Sequence, residues 1–182
     1  MPQFSLYVEN SYWIKNQFLF VNLNIPGSNN NFERNISSVK EFFKRNAANL
    51  AWIDYTFKLA TEKKMAGIIF AFQANMFTAK IQVDDLANGF LDTVLSLSSH
   101  AEVYKNSVLL IHGDTHHLRI DQPLKTTDKK YILENVLRVE LMGEEEIQAL
   151  EITVDATQNS PFSFRPLIVK ANSEFFTRQL NK

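Results

Sequence analysis

Three short apolar segments alternate along this chain with two longer amphipathic segments, and no other feature restricts the fold as strongly. Residues 17–25 alternate between two faces, whereas 68–72 and 108–111 are apolar throughout. Continuous apolar runs of this length are typical of strands that are buried on both faces. The order strand, helix, strand, helix, strand predicts an α/β fold with a parallel sheet and right-handed crossovers.

The two segments between these strands have helical periodicity. In the first, apolar residues recur near a 3.6-residue period over residues 39–60, which predicts one buried face. Ser38, followed three residues later by Glu41, predicts a capping box at its start. The second helix is predicted from Asp84 to about Ser98.

After Leu124 the chain changes character. Residues 135–141, 147–154 and 162–169 are strand-like and are separated by short polar connections. Gly143 and the glutamates at 144–146 predict a hairpin turn, so we expect an antiparallel meander after the parallel part. We expect one domain over residues 1–170 and a polar tail over 171–182.

The charge and cysteine content excludes several classes of function. The 182 residues include 19 Lys and Arg against 20 Asp and Glu, a net charge of −1, which argues against binding nucleic acid or an anionic membrane. The chain has no Cys, so disulfides, zinc–thiolate sites and thiolate catalysis are excluded. There is no signal peptide and no apolar run of membrane-spanning length, so we expect a cytoplasmic protein.

Each of the three apolar strands ends in a polar cluster, at residues 27–31, 73–75 and 112–117. Ligands of open α/β sheets bind beyond the carboxyl ends of the strands. Because parallel strands end at the same edge, we expect the three clusters to form one ligand site.

The third cluster is the richest in chemistry. It contains His112, Asp114 and His116, and imidazole with carboxylate suits zinc, manganese or iron. Asp114 and His116 are two residues apart, so in an extended or turning segment both side chains can reach one ion. The other interpretation is that His112 and Asp114 are hydrogen-bonded turn residues that fix the loop.

Two further groups of polar residues carry alternative interpretations. Arg119 either clamps a phosphate or a carboxylate, or pairs with Asp121 at a strand end. The asparagines at 29–31 either make a turn or orient the oxygens of a ligand.

In this order, the motifs resemble the C-terminal half of a bacterial calcineurin-like metallophosphoesterase over about residues 13–169. The resemblance rests on these segments: Gly27-Ser28-Asn29-Asn30, Arg45 to Trp52, Gln73-Ala74-Asn75, His112-Gly113-Asp114-Thr115-His116, Arg119 to Pro123, Asn135, Arg138-Val139-Glu140, Thr153-Val154-Asp155 and Phe162-Ser163-Phe164.

The resemblance implies a two-sheet sandwich flanked by helices, with divalent metal ions (Mn, Zn, Fe or Mg) above the strand ends. It implies metal ligation by Asp114, His116 and Gln73. The residues expected to take part in catalysis are His112, Asp114 and His116. Those expected to bind substrate are Asn29, Asn30, Asn75 and Arg119.

Two functions follow as hypotheses. The first is a metal-dependent phosphoesterase, or its remnant, acting on a small phosphate ester or a phosphoprotein. The second is a catalytically inactive binding or interaction module. The motifs of the family's first half do not occur in this sequence. We therefore expect a homodimer, or pairing with a missing N-terminal half.

Overall fold

The computed structural model describes residues 5–32, 35–77, 88–143, 148–169 and 171–172. Its elements form an α/β fold with a mixed six-stranded sheet of order β1-β2-β3-β4-β6-β5 and a separate two-stranded sheet, β7-β8. In chain order the elements are β1 Ser11–Lys15, β2 Phe18–Asn22, α1 Gly27–Asn30, α2 Ile36–Glu62, β3 Gly67–Ala71, α3 Leu91–Tyr104, β4 Ser107–His112, β5 Arg119–Asp121, β6 Val136–Glu140, β7 Ala149–Val154 and β8 Phe162–Leu167.

The predicted parallel sheet is confirmed. Strands β2, β3 and β4 pair in parallel, with α2 and α3 in the two connections between them. Phe70 pairs with Val21 on one side and with Leu110 on the other. Four of the five residues of β3 are buried and Ala71 at its end is half-buried, as expected of a strand covered on both faces.

The predicted meander is wrong for its first strand. β6 pairs in parallel with β4 as a fourth parallel strand, and the short strand β5 pairs with it in antiparallel orientation. β6 joins the parallel part because its residues suit a position between two neighbours: Val136, Arg138, Val139 and Glu140 are all buried. The predicted antiparallel pairing holds only for β7 with β8.

The hairpin predicted at Gly143 is also wrong. The strands before and after it, β6 and β7, lie in different sheets, so this connection crosses between two layers. Residues 144–147 lie outside the described residues.

A β-hairpin at the start of the chain was missed by the sequence reasoning. β1 and β2 pair in antiparallel orientation through a two-residue turn, in which Asn16 and Gln17 have φ of 48° and 67°. Two central residues with positive φ make the turn type that matches strand twist in two-residue hairpins. As an edge strand, β1 leaves Trp13 47% exposed.

The boundaries of both helices differ from those predicted. The cap of α2 is Asn35, whose side chain accepts a hydrogen bond from the backbone nitrogen of Ser38. Ser38 is therefore inside the first turn and is not the cap. α3 begins at Leu91 and continues to Tyr104, while the predicted start, residues 84–87, lies outside the described residues.

The core lies on both faces of the large sheet. On one face α2 and α3 cover the sheet through Ile53, Phe57 and Leu97. On the other face the β7-β8 sheet packs against Phe18, Ile69, Leu109 and Val139, with Phe162 between the layers. None of the described helices is long and apolar enough to cross a membrane.

Candidate functional site

A polar hollow of about 500 Å³ lies at the carboxyl ends of β2 and β3, beside the loop that follows β4. Its described lining residues are Asn24, Pro26, Gly27, Ser28, Asn31, Glu41, Arg45, Gln73 and Asp114. The three predicted clusters therefore contribute to one place. Gln73 and Asp114 are both within 3.3 Å of the position that a Cβ on Gly27 would occupy.

One wall of the hollow is the four-residue element α1 with Asn31, which is a left-handed turn and not a regular α-helix. Ser28, Asn29, Asn30 and Asn31 all have φ between 53° and 58°. L-residues pay a steric cost in this region, and Asn tolerates it best after Gly. The run of asparagines therefore suits the backbone of this turn.

Arg45 holds this turn in place from α2. Its guanidinium donates to the backbone oxygens of Asn24 and Asn30, to the Asn30 side chain and to both carboxylate oxygens of Glu41. Arg45 has five N–H donors, and these bonds engage all of them. The two hydrogen bonds from Arg45 to Glu41 hold the pKa of Glu41 below its usual range, and a hydrogen bond from Asn31 lowers it further. Arg45 is thus a structural clamp and has no N–H group left for a ligand.

Asp114 lies on the opposite wall and is fixed by the loop after β3. Its Oδ2 accepts a hydrogen bond of 2.9 Å from the backbone nitrogen of Asn75, and its Oδ1 accepts one of 3.4 Å from Nε2 of Gln73. The amide oxygen of Gln73 in turn accepts a 2.5 Å hydrogen bond from the nitrogen of Gly27. Asp114 itself is exposed and has φ of 91°, so its carboxylate is presented to solvent by a loop that is bonded on both sides.

Behind Asp114 lies a buried polar network centred on Glu140, which has no exposed surface. Both Glu140 oxygens accept hydrogen bonds of 3.1 Å from the Asn75 side chain, and Oε1 also accepts from the backbone nitrogen and the hydroxyl of Thr115. Arg138 donates to Oδ1 of Asn75 at 3.4 Å and forms a two-pronged ion pair with Asp121.

Sequence reasoning missed the role of this network, because β6 was expected in an antiparallel meander and not beside β4. A signal was present in the sequence: Arg138 and Glu140 are charged residues two apart within a strand-like segment, so both lie on one face of it. Asp121 pairs with Arg138, so the alternative pairing of Asp121 with Arg119 is wrong.

His112 is not among the described residues that line the hollow. It is 1% exposed, its ring stacks on Phe72 at 5.5 Å, and Phe77 lies at 5.9 Å. Its Nδ1 donates to the oxygen of Gly113 at 2.8 Å, while the buried Nε2 has no hydrogen-bond partner among the described atoms. Burial lowers the pKa of His112 and favours the neutral ring.

The remaining predicted site residues are not among the described residues that line the hollow. The ring of His116 packs against Gly143, where an added Cβ would be only 2.0 Å from the ring carbon Cγ. The side-chain oxygen of Asn29 accepts a hydrogen bond from the nitrogen of Gly89. Arg119 is exposed on the edge strand β5.

Asn30 is a structural residue and not an open substrate contact. It is fully buried, and its side chain bonds the oxygen of Gly89 at 2.8 Å and the guanidinium of Arg45 at 2.5 Å. Asn75 is 2% exposed and its side chain is engaged by Glu140 and Arg138, so its contribution to the site is through its backbone.

The side chains that line the described hollow do not fit a pair of divalent cations. Among the described residues, no three His, Asp or Glu side chains form a group that could hold a metal. However, Mg²⁺ is commonly bound by one or two carboxylates together with water and substrate phosphates. Asp114 would supply one such carboxylate, whose two oxygens also accept hydrogen bonds from Gln73 and Asn75.

The chain matches none of the models of known protein families with which it was compared. A comparison with curated proteins finds no relative either. The assignment of function therefore depends on the geometry of the hollow.

Proposed function

We propose that the hollow binds a divalent cation at Asp114 and, through it, a phosphate ester, as part of a metal-dependent phosphoesterase of the calcineurin-like kind. The observation that carries this proposal is the Asp114 carboxylate, presented at the hollow by bonds from Asn75 and Gln73. The order of motifs along the chain, which resembles the second half of that family, supports it.

The charge of the hollow favours binding of a cation over binding of an anion. Its ionisable lining residues, as far as described, are Glu41, Arg45 and Asp114. Glu41 and Arg45 neutralise one another, which leaves one negative charge on Asp114. A phosphate ester would be repelled here unless a cation lay between it and Asp114. When bound, a divalent cation would polarise the phosphoryl oxygens.

The type of donor favours Mg²⁺ or Mn²⁺. The hollow is lined by oxygen-bearing side chains, namely the carboxylate of Asp114 with several amides and the hydroxyl of Ser28, and hard cations prefer oxygen ligands. The side chains do the rest of the binding: Ser28 and Asn31 line the wall on which the ester would lie, and Gln73 holds Asp114 against Gly27.

A second candidate function is a binding module without catalysis. It is favoured by the absence of a three-ligand group among the described residues. Hydrolysis in this family needs further ligands, and these would come from a first-half segment or a second subunit that pairs with this chain.

Mn²⁺ titration of the purified protein, followed by electron paramagnetic resonance, tests the proposal. We expect Asp114→Asn to weaken Mn²⁺ binding at least about tenfold, because a neutral amide replaces the anionic ligand. Asp128→Asn removes an exposed carboxylate in the loop between β5 and β6 and is the matched control. His116→Ala is expected to have the smaller effect, because its ring lies against Gly143.

Hydrolysis of an aryl phosphate separates the two functions. Mn²⁺-dependent hydrolysis that is lost in Asp114→Asn and kept in Asp128→Asn supports the phosphoesterase. Binding of Mn²⁺ and phosphate without hydrolysis supports the binding module. If the wild-type protein binds no divalent cation, or Asp114→Asn binds it equally well, the proposal is wrong.

A further inference from the structure

The buried carboxylate of Glu140 is hydrogen-bonded to the two loops that hold the exposed carboxylate of Asp114. Glu140 is on β6, in register with His112 at the end of β4, and has no contact with solvent. It accepts hydrogen bonds from two loops: from Thr115, the residue after Asp114, and from Asn75, whose backbone nitrogen bonds Asp114. Glu140 therefore connects both segments that hold the Asp114 carboxylate.

The orientation of Asn75 is set by charge. Its side-chain nitrogen faces the Glu140 carboxylate, and its side-chain oxygen faces the guanidinium of Arg138 and the backbone nitrogen of Phe77. A carboxylate only accepts and a guanidinium only donates, so the reverse orientation of the amide would lose both contacts. With the side chain fixed in this way, the backbone N–H of Asn75 is directed at Asp114.

We propose that Glu140 is a positioning residue for the metal-binding function of Asp114, acting through Asn75 and Thr115. This inference rests on the proposed function, but its central contact does not need a metal. Partners that orient a ligand side chain typically change metal affinity by about 10- to 100-fold when they are replaced. Burial and hydrogen bonding of a carboxylate with no exposed surface also keep the loop in one arrangement.

Glu140→Gln is the first variant to test. It keeps the size of the side chain but turns a donor group toward Thr115 or Asn75, which are donors themselves. We expect the backbone amide of Asn75 to exchange its hydrogen at least about tenfold faster and Mn²⁺ binding to weaken about tenfold. Amide exchange is measured by nuclear magnetic resonance on the metal-free protein.

The decisive variant exchanges the carboxylate of Glu140 and the amide of Asn75 between the two positions. In Glu140→Gln with Asn75→Asp, the glutamine nitrogen donates to the new carboxylate and the glutamine oxygen still accepts from Thr115, so one hydrogen bond between positions 75 and 140 returns with its polarity reversed. We expect this double variant to recover amide protection and Mn²⁺ affinity. Asn75→Asp alone sets two carboxylates against each other and is expected to weaken both.

Thr56→Val is the control for a general loss of stability. Thr56 is buried in α2, and its hydroxyl donates to the oxygens of Trp52 and Ile53, away from the hollow. We expect Thr56→Val to lower the free energy of unfolding without changing Mn²⁺ affinity. If Glu140→Gln does not fold, Thr115→Val, at an exposed loop residue, removes one of the same hydrogen bonds.

Unchanged amide exchange at Asn75 in folded Glu140→Gln would overturn the inference, whatever the metal data. Weak Mn²⁺ binding in both the single and the double variant would overturn it too, because restored contacts should restore affinity. A wild-type protein without Mn²⁺ affinity contradicts the proposed function, and amide exchange then still decides whether Glu140 holds the Asp114 loop.

Discussion

Polar side chains with almost no exposure concentrate around the carboxyl ends of the parallel strands. Asn30, Arg45, Asn75, Arg138 and Glu140 are each 4% exposed or less. Burying such groups is costly unless they are hydrogen-bonded, and each of them has partners. The shape of the hollow is therefore set by directional bonds, which specify where Asp114 and the left-handed turn lie more narrowly than apolar contacts would.

Gly143 is expected to be intolerant of a side chain. A Cβ there would lie 2.0 Å from Cγ of His116, so Gly143→Ala must displace the imidazole ring or the backbone. We expect it to lower the free energy of unfolding by about 1–3 kcal/mol. Gly113→Ala is the control, since nothing lies within 4 Å of its Cβ position, and should change stability by less than about 0.5 kcal/mol. Urea denaturation of both variants measures the difference, and equal effects would refute the argument.

At the level of elements, local patterns identify the buried strands and miss the edges. β3 and β4 are continuous apolar runs, which have few alternatives in a chain of this length. β1 and β5 are short edge strands with exposed side chains, so their sequences differ little from those of loops. The start of α2 was missed because Ser38 and Glu41 fit the capping-box spacing, whereas Glu41 is in fact bonded to Arg45.

The cap of α2 can be tested with two alanine variants. Asn35→Ala removes the side-chain oxygen that accepts from the nitrogen of Ser38, and we expect it to lower the free energy of unfolding by about 1 kcal/mol. Ser38→Ala should cost little, because Ser38 lies inside the helix. Thermal and urea denaturation measure both. A larger loss in Ser38→Ala would restore the capping box that the sequence predicts.

Contacts in the candidate site could be predicted from the sequence where they follow from the order of the parallel strands. Contacts between segments whose relative placement no pattern indicates could not be predicted. Gln73 and Asp114 follow parallel strands, so their meeting follows from the strand order. The contact between Asn75 and Glu140 joins residues 65 positions apart and depends on β6 lying beside β4, which no local pattern indicates. The same holds for Arg45, whose clamp on Asn30 is visible only when α2 is placed over the turn.

For the whole molecule, the two layers of β-sheet form a second core on the face opposite the helices. Phe18 of β2 and Phe162 of β8 meet there with ring centroids 5.8 Å apart. Both are 8% exposed or less, so the contact joins the small sheet to the large one in a dry environment. Because β7 and β8 pair only with each other, this packing is what attaches them to the rest of the described fold.

A double-mutant cycle tests this packing of the layers. Phe18→Leu and Phe162→Leu, singly and together, should give a coupling of about 0.5–1.5 kcal/mol in the free energy of unfolding, the range found for aromatic pairs. Phe57 is on α2 and belongs to the core on the opposite face of the large sheet, so the effect of Phe57→Leu should add to that of Phe162→Leu within about 0.5 kcal/mol. Additive effects for the Phe18 and Phe162 pair would mean that the two sheets do not pack as described.

The left-handed turn after β2 also limits how the hollow can diverge among related sequences. Ser28 is exposed on the rim, but its φ of 53° admits few residues besides Gly, Asn and Asp. The backbone at position 28 therefore favours small polar side chains and disfavours bulky ones. Within that narrow choice, Ser28→Asp would bring a third carboxylate to the cavity, beside Glu41 and Asp114, and would make the charge of the hollow more negative.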